Sequence, residues 1–119
     1  MKLFSPEKVN ALIPELEPLI EEMWRTRQEL AIMLLEGDPA ISAGQPRQTR
    51  PIAKLKSEVI RLVHRIESHG CVVKDLDLGL LDFPALREGR PIMLCWKPGE
   101  AAITHWHGTD EGFARRKPL

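Results

Sequence analysis

Apolar residues at Val9, Leu12, Leu16, Leu19, Met23, Leu30 and Met33 recur at the three- and four-residue spacing of one helix face, and Thr26 fills the remaining slot. Ile13, Ile20 and Leu34 widen the stripe. In front of it, Ser5-Pro6-Glu7 offers a capping hydroxyl, a proline where its missing N–H costs nothing, and an acid near the positive end of the helix dipole. A helix therefore starts at Pro6. Pro14 and Pro18 fall inside the pattern, and each removes an intrahelical hydrogen bond. The expectation is a short helix to residue 13, a break or kink, and a long helix from Pro14 to Glu36.

Residues 37–50 carry two glycines, two prolines and no period, which reads as a loop. Periodicity resumes at Pro51 with Ile52, Leu55, Val59, Leu62 and Ile66, His69 on the same seam, and Gly70 as the stop. After Gly70 the period changes from helical to extended. Cys71 to Val73, Leu76 to Phe83, Pro91 to Lys97 and Ala101 to His107 read as strands. Pro98-Gly99 fits the centre of a type II turn, and Arg87-Glu88-Gly89-Arg90 forms a second turn. The predicted class is α+β: a long antiparallel helical hairpin over residues 6–70, then a small antiparallel β-sheet over 71–107 and a tail over 108–119. All of it is one domain of residues 1–119.

Charge adds an orientation. The chain is neutral, with 17 basic and 17 acidic side chains. Residues 1–36 carry four basic and seven acidic groups, net −3, and residues 51–70 carry four basic and two acidic, net +2. An antiparallel hairpin sets Arg61 and Arg65 against Glu15, Glu17, Glu21 and Glu22, which selects orientation more than it stabilises. Two helices leave part of the stripe open. Met23, Trp24, Met33, Leu34 and Leu35 exceed what one partner helix covers, so a homodimer forming a four-helix bundle is expected.

The neutral balance argues against nucleic acid or an anionic membrane as partner, since both select a basic excess. No signal peptide pattern opens the chain, and no apolar run approaches the length that crosses a bilayer. A cytoplasmic location is expected, with Cys71 and Cys95 as free thiols.

Candidate chemistry concentrates in the second half. His105 and His107 project from the same face of a strand, and across the Pro98-Gly99 hairpin Cys95 joins them if the register allows. Cys95, His105 and His107 are therefore the candidate metal ligands, with zinc as the candidate cofactor. The competing reading is a packed or surface histidine pair. Asp75, Asp77 and Asp82 are candidates for a hard cation, although Asp is also common where strands meet turns. Trp96 and Trp106 form either an aromatic wall or the core between sheet and helices. No phosphate loop, nucleophile elbow or dinucleotide fingerprint is present.

Four segments carry a family likeness: F-S-P-E-K-V-N-A-L-I-P-E-L, G-C-V-V-K-D-L-D-L-G-L-L-D-F-P, L-C-W-K-P-G-E and W-H-G-T-D-E-G-F-A-R-R-K-P-L. Together they resemble the bacterial domain of unknown function family numbered 2203, over the whole chain apart from the 37–50 loop. That resemblance implies no activity, cofactor or substrate. It directs attention to Asp75, Asp77, Gly79, Asp82, Cys95, Trp96, Glu100, Trp106, His107, Asp110, Gly112, Phe113 and Arg116. Two functions are in competition. One is a non-enzymatic homo-oligomeric binding or interaction module, whose sheet and tail meet an unknown protein or small-molecule partner. The other is a small metal-dependent hydrolase-like enzyme using Cys95, His105 and His107, with Glu100 or Asp110 as acid or base.

Overall fold

The computed structural model describes residues 2–36 and 52–119, so the expected 37–50 loop lies outside the described residues. Helix α1 spans Pro6–Glu36 and helix α2 spans Ile52–Glu67. The Ser5 cap forms as its sequence predicts: the Lys8 N–H donates to the Ser5 hydroxyl at 3.2 Å. Gly70 ends the hairpin with a positive φ of 104° that L side chains rarely adopt. Thr26 is buried and donates its hydroxyl to the Glu22 carbonyl, so a polar residue in the stripe carries its own partner.

The expected interruption at residues 13 and 14 is absent, because α1 is one helix of 31 residues through both prolines. Pro14 and Pro18 are exposed, whereas Ile13, Leu16, Leu19 and Ile20 around them are buried. The carbonyls that lose an N–H partner thus face water, and packing on the other side of the helix holds its course.

Five strands follow in an antiparallel meander of order β1-β2-β3-β4-β5. They are β1 (Val72–Asp75), β2 (Leu80–Arg87), β3 (Arg90–Trp96), β4 (His105–Gly108) and β5 (Lys117–Pro118). The β2–β3 turn puts Glu88 and Gly89 at φ 52° and 78°, the signature of a type I′ hairpin. Gly99 has φ 98° and the Glu100 N–H donates to the Lys97 carbonyl, as the type II turn requires. Three expectations shift. β2 starts at Leu80, four residues after the predicted start, because the Asp75 carboxylate closes a turn by accepting the N–H groups of Asp77 and Leu78. Residues 101–104 are not strand; there the Ile103 N–H donates to the Asn10 side chain on α1. The tail beyond 107 supplies β5, and a short 3-10 turn over Phe113–Arg115 leads into it.

Pro84 sits inside β2 without harm. β1 reaches only as far as Asp82, and at Pro84 the neighbour is Phe4, whose N–H donates to the Pro84 carbonyl.

The strand alternation divides the sheet cleanly. Leu81, Phe83, Ala85, Ile92, Leu94 and Trp96 face the helices and share one core with Val9, Ile13, Leu16, Ile20, Met23, Val59, Leu62 and Ile66. A second core holds only hairpin residues: Leu30, Met33, Leu55 and, at its margin, Ile52. The molecule is accordingly long, 61 × 24 × 24 Å. The acidic stretch of α1 is met across the hairpin by His69, whose Nε2 lies 3.2 Å from Glu15 Oε1.

Because both prolines are exposed, replacing one restores a helical hydrogen bond at little loss of contact. Pro14→Ala should stabilise the fold by about 2 kcal/mol, the interior-proline penalty less the entropy that proline removes from the unfolded chain. Urea unfolding of the variant checks this, and an unchanged midpoint contradicts it.

Candidate functional site

The other face of the sheet carries the polar chemistry. Asp82 pairs with Cys95 across β2 and β3, Cys95 pairs with His105 across β3 and β4, and His107 lies two residues further along, opposite Met93. The register therefore puts Cys95, His105 and His107 on one face. The ligand atoms that converge are a different three. A carboxylate oxygen of Asp82, the Cys95 Sγ and a ring nitrogen of His107 all lie within 4.8 Å of one another. His105 is outside that group, half-buried, with its Nδ1 at 2.8 Å from the Thr104 hydroxyl.

Asp82, Cys95 and His107 are 3%, 1% and 1% exposed. Burying a carboxylate this deeply is tolerable only with close partners. His107 Nδ1–H donates to the Gly108 carbonyl at 2.8 Å, and Nε2 stands 2.9 Å from Asp82 Oδ1. A carbonyl only accepts, so the Nδ1 hydrogen is fixed. One further proton then sits between Nε2 and the carboxylate, and the pair is neutral as a unit.

The tail closes the cluster. Arg116 lies near Cys95 and pairs with both Glu100 oxygens, at 3.2 and 3.1 Å, while Glu100 also accepts the Lys97 N–H. The Arg116 guanidinium lies 4.3 Å from the Phe113 ring centroid. Burial, with Asp82 nearby, pushes the Cys95 thiol up to about 11, against a smaller opposing pull from Arg116. Cys95 is thus a protonated thiol at neutral pH and not an activated nucleophile. Cys71 is likewise free and buried, donating to the Ile66 carbonyl, and burial raises it to about 11 as well.

The remaining candidates serve elsewhere. Asp75 closes its turn, and Asp77 reaches α1 to pair with Arg27 at 2.8 Å, so neither carboxylate converges with Asp82. Trp96 is core, its Nε1 donating to the Glu100 carbonyl. Trp106 packs at the core margin with Arg87 and Lys117 over its ring, and its Nε1 is buried without a partner. Asp110 is exposed. Glu111, which the sequence reading passed over, accepts the Gly108 N–H and the Lys117 ammonium, and these bonds hold its carboxyl below its ordinary value. An acid three residues after a glycine was the available signal.

The model of the uncharacterised conserved protein family DUF2203 matches residues 2–119. The chain belongs to that family. No curated protein and no solved structure matches it. The DUF2203 match spans both helices and all five strands, including the tail strand that completes the sheet. Among the described residues no helix of this DUF2203 member is long and apolar enough to cross a membrane.

Two outcomes follow from the difference between the buried and exposed carboxylates. Asp82→Ala strands the His107 ring and should cost about 3–5 kcal/mol, whereas Asp77→Ala removes an exposed pair worth about 1 kcal/mol or less. Denaturant unfolding of both variants checks the ranking, and equal costs contradict it. Cys71 adds a pH dependence. Its folded value lies above its ordinary 9.0, so its contribution is complete below pH 9 and is lost as pH rises through about 11. The stability gap between wild type and Cys71→Ala should narrow over that window, and a constant gap contradicts the assignment.

Proposed function

We propose that this chain is a non-enzymatic, self-associating interaction module, with the helical hairpin as its assembly element. The observation that carries the reading is the length of α1. Its sheet-facing stripe runs Ile13, Leu16, Ile20 and then continues at helical spacing through Trp24, Arg27, Ala31 and Leu34, past the end of the sheet. There the stripe is open. Trp24 and Leu34 are 37% and 57% exposed, and with Ala31 and Asp77 they line a groove of about 190 Å³. Leu35, next to Leu34 in the chain, is 86% exposed, the most of any large apolar side chain among the described residues. A run of this kind on a soluble surface marks a contact site.

Two residues of the expected assembly face are withdrawn. Met23 and Met33 are buried within the chain, Met23 in the main core and Met33 against Leu55, which leaves Trp24, Leu34 and Leu35.

A second copy is the occupant that the charges favour. Glu17 and Glu21 precede Trp24 on the grooved side of α1, and Arg25 follows it, with Arg27 beyond, paired with Asp77 of its own chain. Two α1 helices crossing antiparallel at Trp24 bring each acidic segment to the other's basic one, the self-complementarity that a two-fold contact demands. Catalysis finds less support. Both His107 nitrogens are engaged and the adjacent thiol is protonated, so no free base faces a nucleophile. A cytoplasmic location belongs to the same proposal and is supported by the two free cysteines.

Light scattering of the wild type should give twice the 13.5 kDa of one chain, and Leu34→Glu should return it to one chain with its melting temperature little changed, since Leu34 contributes nothing to either core. A wild-type mass of 13.5 kDa at every accessible concentration contradicts the proposal.

A further inference from the structure

We infer that Asp82, Cys95 and His107 form a zinc-binding centre that ties β2, β3 and β4 together on the outer face of the sheet. Each ligand comes from a different strand: the carboxylate from β2, the thiol from β3 and the imidazole from β4. Their ligand atoms already lie within 4.8 Å of one another. Bonds of 2.0–2.3 Å place the ligand atoms of a tetrahedral zinc roughly 3.3–3.8 Å apart, so shifts of at most about 1–1.5 Å, with the 2.9 Å His107–Asp82 pair opening slightly, bring the three onto one ion.

The imidazole is prepared for that role. Its Nδ1–H is tied to the Gly108 carbonyl at 2.8 Å, the outer hydrogen bond that orients a ligating histidine and leaves Nε2 as the donor atom. Nε2 points at Asp82, and one proton separates them. One sulfur, one nitrogen and one oxygen make a borderline-soft set, suited to zinc and poorly suited to magnesium or calcium.

Charge balance supports the exchange. The cluster without metal holds two removable protons, one on the Cys95 sulfur and one shared by His107 and Asp82. A zinc ion that enters releases both: the S–H bond breaks, the shared proton leaves, and bonds form to Sγ, Nε2 and a carboxylate oxygen. Two positive charges replace two protons, so this buried site keeps its net charge. The neighbouring Arg116 brings no uncompensated cation, since its guanidinium is paired with Glu100.

The set differs from one built on His105, which shares the sheet face but stays outside the cluster. This difference supplies the test. Untagged protein expressed with zinc, or refolded in its presence, should hold roughly one equivalent per chain, and removing the metal should lower the melting temperature by several degrees. Cobalt in its place should give a thiolate-to-metal absorption band in the wild type and in His105→Ala. Cys95→Ser, which preserves the shape, should abolish the band. If the wild type refolded with zinc holds no stoichiometric metal and cobalt gives no thiolate band, the centre is a proton-held Asp82–His107 pair and the inference is overturned. A band lost in His105→Ala and kept in Cys95→Ser overturns the ligand set. Neither result depends on the oligomeric state.

Discussion

The sheet packs against only about the first half of α1, and most of the architecture follows from that mismatch. A 31-residue helix extends about 46 Å, and the last of its residues in the main core is Met23. Over its first half α1 is held by both α2 and the sheet, and large side chains such as Phe83, Trp96 and Leu16 fill one continuous core. Beyond Met23 only α2 remains, and the core shrinks to Leu30, Met33, Leu55 and Ile52. That cluster closes the seam between the two helices. It leaves the side of α1 that the sheet would have covered open at Trp24, Ala31 and Leu34. An unpartnered stripe on a two-helix arm is costly in water, and a third layer relieves it.

The strand period imposes the second organising feature. Consecutive β2 residues alternate between the helical core and the outer face, so Leu81 and Phe83 meet the helices while Asp82 points away. An outer face open to water would need no special arrangement. Here Arg116 of the tail pairs with Glu100 near Cys95, and Asp82, Cys95 and His107 are all buried. Burial turns a set of surface groups into a cluster whose protons and charges must balance. The helical hairpin and the polar cluster thus occupy opposite faces of one sheet.

Much of the fold was legible in the sequence because its signals are local. The Ser5 cap, the Gly70 stop, the type II turn at Pro98-Gly99 and the heptad stripe all depend on residues within a few positions of one another. Pro14 and Pro18 misled for a physical reason: the local penalty is real, but packing at Ile13, Leu16 and Ile20 outweighs it when the prolines face water. The site was legible only in part. His105 and His107 share a face by strand geometry alone, whereas the partner of His107 is Asp82, 25 residues earlier in the chain, and that meeting depends on the β2–β3–β4 register. The β5 strand was hidden because two residues ending in Pro118 carry no periodic signal.

Self-association through the open stripe of α1 is tested most directly by a distance across the pair. A nitroxide attached at Ile32→Cys sits on an exposed position eight residues past Trp24, and the natural thiols are buried. Antiparallel crossing at Trp24 separates the two labels by roughly 25–35 Å, from 1.5 Å of rise per residue on each helix plus the lateral offset. Pulsed dipolar spectroscopy should return a single distance in that range. A sample with no dipolar coupling between chains at high concentration contradicts the account.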